Sequence, residues 1–158
     1  MAIRKYKTQR KQSAGAGRAR GGQKKPAAPK IFRVIVPVGD IECATEFYST
    51  LLNTNGLRVS LGRHYILCGG VVLALYDPMM EDRRTFQPNP DHVYFAVRNL
   101  EAAYARAKKL NCLSSEIGDG KLPMGEIRKR PWGERSFYAR DPFGNPLCFV
   151  DEATLYRG

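Results

Sequence analysis

From Ile31 onward the chain runs through two alternations of apolar and polar positions, first at the period of a strand and then at that of a helix. Residues 32–38 are dense in β-branched side chains (Val34, Ile35, Val36, Val38) and predict a strand. Asp40 follows as a helix N-cap. Ile41, Ala44, Phe47, Tyr48 and Leu51 then recur at helical spacing until Asn55-Gly56 closes the element in a turn. Further strands are expected at about 57–63, 64–68 and 70–76, the last two separated by Gly69-Gly70. The order is β-α-β-β-β.

The same order then returns. His92–Val97 predicts a strand, and Leu100, Ala103, Tyr104, Ala107 and Leu110 form the apolar stripe of a second helix. Strands are expected at Met124–Arg130, Arg135–Arg140 and Pro146–Val150, with Asp141-Pro142-Phe143-Gly144-Asn145 as a tight turn before the last. Asp77 to Asp91 is polar, carries three prolines and serves as the linker. A duplicated unit that cannot bury its own apolar face packs against its twin, and two such sheets enclose a cavity. The copies differ in length: Arg33 to Leu73 spans 40 positions and His92 to Cys148 spans 56. The extra residues fall largely in Leu113–Gly133, which predicts a loop over the cavity mouth.

The net charge of +11 belongs to one end of the chain. Residues 1–30 hold ten Lys and Arg and no acid, leaving 16 basic against 15 acidic residues in the remainder, a net of +1. With Ile3 and Tyr6 as its only large apolar side chains, the tail cannot offset its ordering entropy and is expected to be disordered. It reads either as a solvated leader or as a segment that contacts nucleic acid or another polyanion through counterion release. Its glycines and prolines argue against an amphipathic transit peptide. No apolar run approaches the roughly 18 residues of a membrane span. Cys43, Cys68, Cys112 and Cys148 show no C-x-x-C pairing and no secretory signal is legible, so buried reduced thiols in a cytoplasmic protein are expected.

Three motifs carry a resemblance. The helix Asp40-Ile41-Glu42-Cys43-Ala44-Thr45-Glu46-Phe47-Tyr48, the module opening His92-Val93-Tyr94-Phe95-Ala96-Val97 and the turn Asp141-Pro142-Phe143-Gly144-Asn145 resemble the vicinal oxygen chelate superfamily of glyoxalases, bleomycin-resistance proteins and extradiol dioxygenases. The resemblance covers residues 31–155. It implies an α+β fold of two tandem βαβββ modules, 31–78 and 91–155 within a domain 31–158, forming a cup-shaped mixed sheet. It also implies a homodimer.

Strand parity then divides the faces. Val34, Val36, Val38, Val93, Phe95 and Val97 belong against the helices. Arg33, Ile35, Pro37, His92, Tyr94 and Ala96 are expected to line the cup, together with Leu73, Leu75, Cys148 and Val150. The resemblance implies a divalent metal held at four such positions, here Arg33, Leu73, His92 and Cys148. Arginine and leucine cannot ligate it, so His92 is the one family ligand in place, and no cofactor is expected unless a two-ligand zinc site recruits a third group. An apolar cup with a few polar groups suits a small organic ligand, neutral or anionic and aromatic in character, contacting Arg33, Leu73, Tyr94, Trp132 and Cys148. Arg33 reads either as the anion's partner or as a strand-start residue paired with Asp91. Trp132 reads as a cover for the cup or as packing at the sheet edge, His64 as a surface residue, and His92 with Cys148 as a remote case of Cys–His nucleophilic chemistry. Three functions remain open: a metal-independent small-molecule binder, a metal-dependent lyase, isomerase or dioxygenase with an atypical site, and a scaffold with a nucleic-acid-binding tail.

Overall fold

The computed structural model describes residues 28–118 and 121–158, so the expectations for the basic tail lie outside the described residues. The first module contains strand β1 (Arg33–Pro37), helix α1 (Ile41–Leu52) and strands β2 (Leu57–Ser60), β3 (Arg63–Cys68) and β4 (Val71–Tyr76). A short helix α2 (Pro78–Asp82) opens the linker. The second module contains β5 (Val93–Val97), α3 (Leu100–Lys109), β6 (Arg128–Lys129), β7 (Arg135–Arg140), β8 (Pro146–Asp151) and a terminal 3-10 turn. Each module forms its own four-stranded mixed sheet, ordered β1-β4-β3-β2 and β5-β8-β7-β6. In both, the opening strand lies at an edge and runs parallel to the closing strand. The α+β tandem-module fold stands, as two sheets that do not hydrogen-bond to each other.

Both long helices form for the reasons their sequences give. The Asp40 carboxylate accepts from the N–H groups of Glu42 and Cys43, both at 2.9 Å, and Asn99 accepts from Ala102 at 2.9 Å. Ile41, Ala44, Phe47, Tyr48 and Leu51 are all buried, as are Leu100, Ala103 and Ala107. These stripes cover one face of each sheet, and the two modules share a single core. Val36, Phe47, Leu51 and Leu75 of the first pack in one cluster with Phe95, Phe137, Leu147 and Phe149 of the second. Phe149 stacks on Phe137 at 5.0 Å and on Phe95 at 5.2 Å between ring centroids.

Several expectations are corrected by longer-range contacts. The strand expected at Met124–Arg130 shrinks to Arg128–Lys129, and the inserted segment instead supplies single bonds along the edge of β7. Ser114 N–H donates to the Tyr138 carbonyl at 3.0 Å, Tyr138 N–H to Met124 at 3.1 Å and Arg140 N–H to Cys112 at 2.8 Å. Part of the insertion therefore extends the sheet. The linker is not featureless: Asp77 caps α2 through the N–H groups of Met79 and Met80, with Pro78 in its first turn. His64 is buried, because β3 turns it to the helix side opposite Leu75 and the chain at Gly56 lies against its ring. A side chain at Gly56 would collide with the His64 ring at Nε2. Of the four free thiols, Cys112 and Cys148 are buried, Cys68 is half-buried and Cys43 is exposed, against the expectation that all are covered.

The modules are tied together at one end by the turn between β7 and β8. Asp141 Oδ2 accepts from the Tyr48 hydroxyl of α1 at 2.8 Å and from Asn145 Nδ2 at 2.7 Å. Its Oδ1 accepts from the N–H groups of Phe143 and Asn145. Gly144, at φ 93°, adopts the left-handed conformation the turn needs. Asn145 Nδ2 also reaches the Pro37 carbonyl at 2.8 Å, and its Oδ1 accepts from Asn89 N–H at 2.8 Å. Burial pushes the Tyr48 hydroxyl well above its usual range, with Asp141 adding to the shift. Removing this staple leaves several buried polar groups unpaired. Asn145→Ala is expected to cost about 3 kcal/mol of unfolding free energy and Tyr48→Phe about 1–2 kcal/mol. Because both act on Asp141, the double variant should depart from the sum of the singles in urea denaturation.

Candidate functional site

The ladder register fixes which residues share a face. In the first sheet Arg33 lies opposite Val72 and Ile35 opposite Ala74; Tyr65 and Leu57 continue the Ala74 row, and Leu67 the Val72 row. In the second, Tyr94 lies opposite Cys148 and Tyr138, and Ala96 opposite Val150 and Ser136. These rows make up the two faces turned away from the helices. Cys148 and Val150 fall where parity put them, but Leu73 and Leu75 do not. Leu73 pairs with Val34 and Leu75 with Val36, so both stand on the helix face, each 3% exposed or less. Since Ile35 pairs with Ala74 as Tyr94 pairs with Cys148, Ala74 is the residue equivalent to Cys148.

The four positions at which the fold implies metal ligands are thus Arg33, Ala74, His92 and Cys148. A guanidinium and a methyl group offer no ligand atom. Burial pushes the Cys148 thiol up to about 12, which keeps it protonated, and the residue is 1% exposed. Among the described residues no three His, Cys, Asp or Glu side chains come together as a ligand group. The residues at these positions do not fit a divalent metal. The same burial disfavours a Cys148–His92 nucleophile, since a neutral, covered thiol is a poor one.

The face of the second module is filled by its own chain. Tyr138, Cys148 and Val150 form a buried cluster packed by Met124 from the insertion and Leu155 from the end of the domain. Arg130 lies over the Tyr138 ring at 4.8 Å, with Nε donating to Ser136 Oγ at 2.9 Å. His92 stands edge-on to Tyr138 at 4.9 Å and to Tyr94 at 6.2 Å between centroids. Trp132 sits in the turn between β6 and β7, 49% exposed, with Nε1 donating to Glu134 at 2.7 Å. It neither covers a cavity nor packs under the sheet. Its hydrophobicity gave a burial signal, and the hairpin turn overrides it.

The face of the first module is open. Ile35, Leu57, Val59 and Leu67 are 48–70% exposed. Arg33 makes no ion pair with Asp91. Its guanidinium lies over the Tyr65 ring at 4.6 Å and the Phe32 ring at 5.0 Å. Arg63, over Tyr76 at 4.6 Å, continues this series of cations and rings.

Between the sheets runs a groove of about 510 Å³. β5 forms one wall along its whole length, and Val34, Val71, Leu73 and the β3–β4 turn form the other, with Leu51, Leu52 and Phe149 beneath. Leu67 also lines it, which makes the groove continuous with the open face of the first module, and Tyr94 borders it from the second. The groove exists because β1 and β5 do not pair. The outer edge of β1 is occupied at Ile35 and Pro37, whose carbonyls accept from the side chains of Asn89 at 3.1 Å and Asn145 at 2.8 Å. Of the residues expected to contact a ligand, Tyr94 and Leu73 meet here, Leu73 from the helix side. Arg33, Cys148 and Trp132 do not line the groove, nor does His92. Arg106 does, although as a polar helix position it gave no sequence signal beyond its charge.

A model of the Glyoxalase/Bleomycin resistance protein/Dioxygenase superfamily matches residues 30–149. A lactoylglutathione lyase from Agrobacterium tumefaciens superposes with a TM-score of 0.57 at 23% identity, over 81% of this chain and 96% of its own. A glyoxalase/bleomycin resistance protein from Albidiferax ferrireducens T118 gives 0.59 at 22% identity, over 77% and 98%. A glyoxalase-related enzyme from Fulvimarina pelagi gives 0.62 at 15% identity, over 83% and 94%. At these identities the likeness establishes the fold. No curated protein sequence matches.

The two histidines set a pH dependence. Burial lowers the pKa of both below the ordinary value of about 6.5, with Arg58 adding to the effect at His64. The unfolded chain therefore binds protons that the folded chain does not, and stability falls as pH drops from about 6.5 toward the folded values. The carboxylates with depressed pKa titrate lower, outside this window. Thermal unfolding between pH 7.5 and 5 is expected to show a falling midpoint. The slope should flatten in His64→Gln and flatten further with His92→Gln added.

Proposed function

The chain belongs to the Glyoxalase/Bleomycin resistance protein/Dioxygenase superfamily, and from that premise we propose that it binds a small organic molecule in the groove between its modules without a catalytic metal. The observation that carries this reading is the groove itself. It has the volume of a ligand site and walls that are mostly apolar, and among the described residues its polar side-chain groups are few: Tyr94, Thr54, Cys68 and Arg106. The donor set at the four register-equivalent positions supports the metal-free part, since it offers one imidazole and one neutral thiol. A neutral or anionic ligand, aromatic in its body, suits Tyr94 and the absence of acidic residues from the lining.

A metal-dependent lyase, isomerase or dioxygenase would need donors brought from elsewhere, and no contact favours that alternative. The open face of the first sheet, on which Ile35, Leu57, Val59 and Leu67 are 48–70% exposed, supports a homodimer that covers it. Free thiols agree with a reducing, cytoplasmic setting. No helix among the described residues is long and apolar enough to cross a membrane.

Elemental analysis of the purified protein is expected to find less than stoichiometric divalent metal. One ion per chain that is lost in His92→Ala would overturn the metal-free reading. A thermal-shift screen of aromatic and aliphatic small molecules should yield ligands whose affinity falls about tenfold in Tyr94→Ala. Unchanged hits in that variant would remove the groove as their site. Light scattering should give a dimer that Leu57→Glu with Leu67→Glu converts to a monomer.

A further inference from the structure

Arg106 is the only charged residue among the described residues that line the groove. It projects from α3, and its Nε donates to the Leu51 carbonyl at 2.8 Å. Leu51 lies in the last turn of α1, where carbonyls lack intrahelical donors, so this bond caps one helix with a side chain of the other. One bond uses one of the five guanidinium N–H groups. The Nη1 and Nη2 atoms have no partner among the described residues, and Arg106 forms no ion pair there. The side chain is half-buried. A cation held partly out of water beside apolar walls, with no counterion, is unfavourable on its own and attracts an anion.

The walls restrict what that anion can be. The side chains of Val34, Val71, Leu73, Phe95 and Phe149 provide no hydrogen bonds, and among the described residues Thr54 is the only side-chain hydroxyl in the lining besides Tyr94. A bare phosphate or acetate would leave most of the groove empty and most of its own oxygens unpaired. A molecule with several charges would place the others against hydrocarbon. What satisfies both cation and walls is an apolar body carrying a single carboxylate, since the guanidinium fork matches two carboxylate oxygens.

We propose that Arg106 selects carboxylic acids with an apolar, aromatic-sized body as the ligands of the groove, pairing their carboxylate through Nη1 and Nη2 while Nε keeps its bond to α1. This deepens the reading that the groove binds a small organic molecule, and rests on it. It moves the anion partner from Arg33, whose guanidinium lies over the Phe32 and Tyr65 rings, to a residue on the other module.

The test compares naphthalene-2-carboxylate with 2-naphthamide, which has nearly the same shape and no charge, by fluorescence titration at pH 7.5 on the full chain. The native protein is expected to bind the acid about tenfold more tightly than the amide. Arg106→Gln should lose that preference by weakening the acid alone, Arg106→Lys should keep only part of it because an ammonium cannot make the two-toothed pair, and Val71→Trp, which narrows the groove, should weaken both probes. Far-UV dichroism of each variant checks that the fold is kept; if Arg106→Gln loses it, Arg106→Lys and Val71→Trp decide. Equal affinity of native protein for acid and amide, or a preference that survives Arg106→Gln, overturns the role of Arg106 and leaves the groove as a neutral-ligand site. Failure of native protein to bind either probe at millimolar concentration overturns both the inference and the reading beneath it.

Discussion

One buried carboxylate holds the two halves of this molecule in register. Asp141 is 4% exposed and accepts four hydrogen bonds, two from the backbone of its own turn, one from Asn145 and one from the Tyr48 hydroxyl of α1. A charge so placed would be prohibitive without those donors. With them it fixes the turn, and the turn then aims Asn145 at the end of β1. Asn145 and Asn89 occupy carbonyls on the outer edge of β1 that another strand would otherwise take. The sheets are thereby joined at one end by side chains instead of by a ladder. The groove follows directly from that choice: two edge strands that meet at one end and do not pair must enclose space along the remainder.

The helices were legible because their signal is local. A cap and five apolar residues at helical spacing give the start and the buried face of α1, with Ile41, Ala44, Phe47, Tyr48 and Leu51 buried residue for residue. The helix stops at left-handed Asn53, however, and not at the expected Asn55-Gly56 turn. The turn at Asp141–Asn145 was legible for the same reason. Faces of strands were less so. Alternation gives two faces, but which one meets the helix depends on the partner strand, and the parity count put Leu73 on the wrong side of β4. On β8 the same count gave the right side for Cys148. The burial of His64 depends on the chain at Gly56, and Arg106 acts on α1 from another module, contacts that no pattern within one element contains. Asp77 followed by Pro78 was a readable start signal for α2, obscured by the polar residues after it.

The twin modules have diverged in what covers them. In the second, Met124 and Leu155 pack onto Tyr138, Cys148 and Val150, and Arg130 lies across the Tyr138 ring. That face is a second small core. In the first, Ile35, Leu57 and Leu67 face outward with nothing over them among the described residues. Sequence duplication predicts symmetrical halves around one cavity, and an insertion in a single copy is enough to break that symmetry. The consequence for chemistry is direct. Filling the second face raises the Cys148 thiol to about 12 and leaves His92 as a half-buried ring among tyrosines, so the place where the fold would present ligands to a metal has become packing.

Selectivity in such a molecule has to come from the seam. The groove is bounded by both modules, so a ligand there touches α3 and β5 of one and α1, β1 and β4 of the other at once. Apolar walls supply attraction that scales with area and discriminates poorly between ligands of similar size. A single fixed charge discriminates strongly, because a neutral ligand leaves it desolvated and unpaired while a carboxylate satisfies it. Arg106 is suited to that role by the bond it already makes. Anchored through Nε to the end of α1, the guanidinium loses little further freedom when a ligand arrives, and pre-organisation of this kind turns a modest contact into a selective one. The contact that closes α1 and the contact that chooses the ligand then belong to the same side chain.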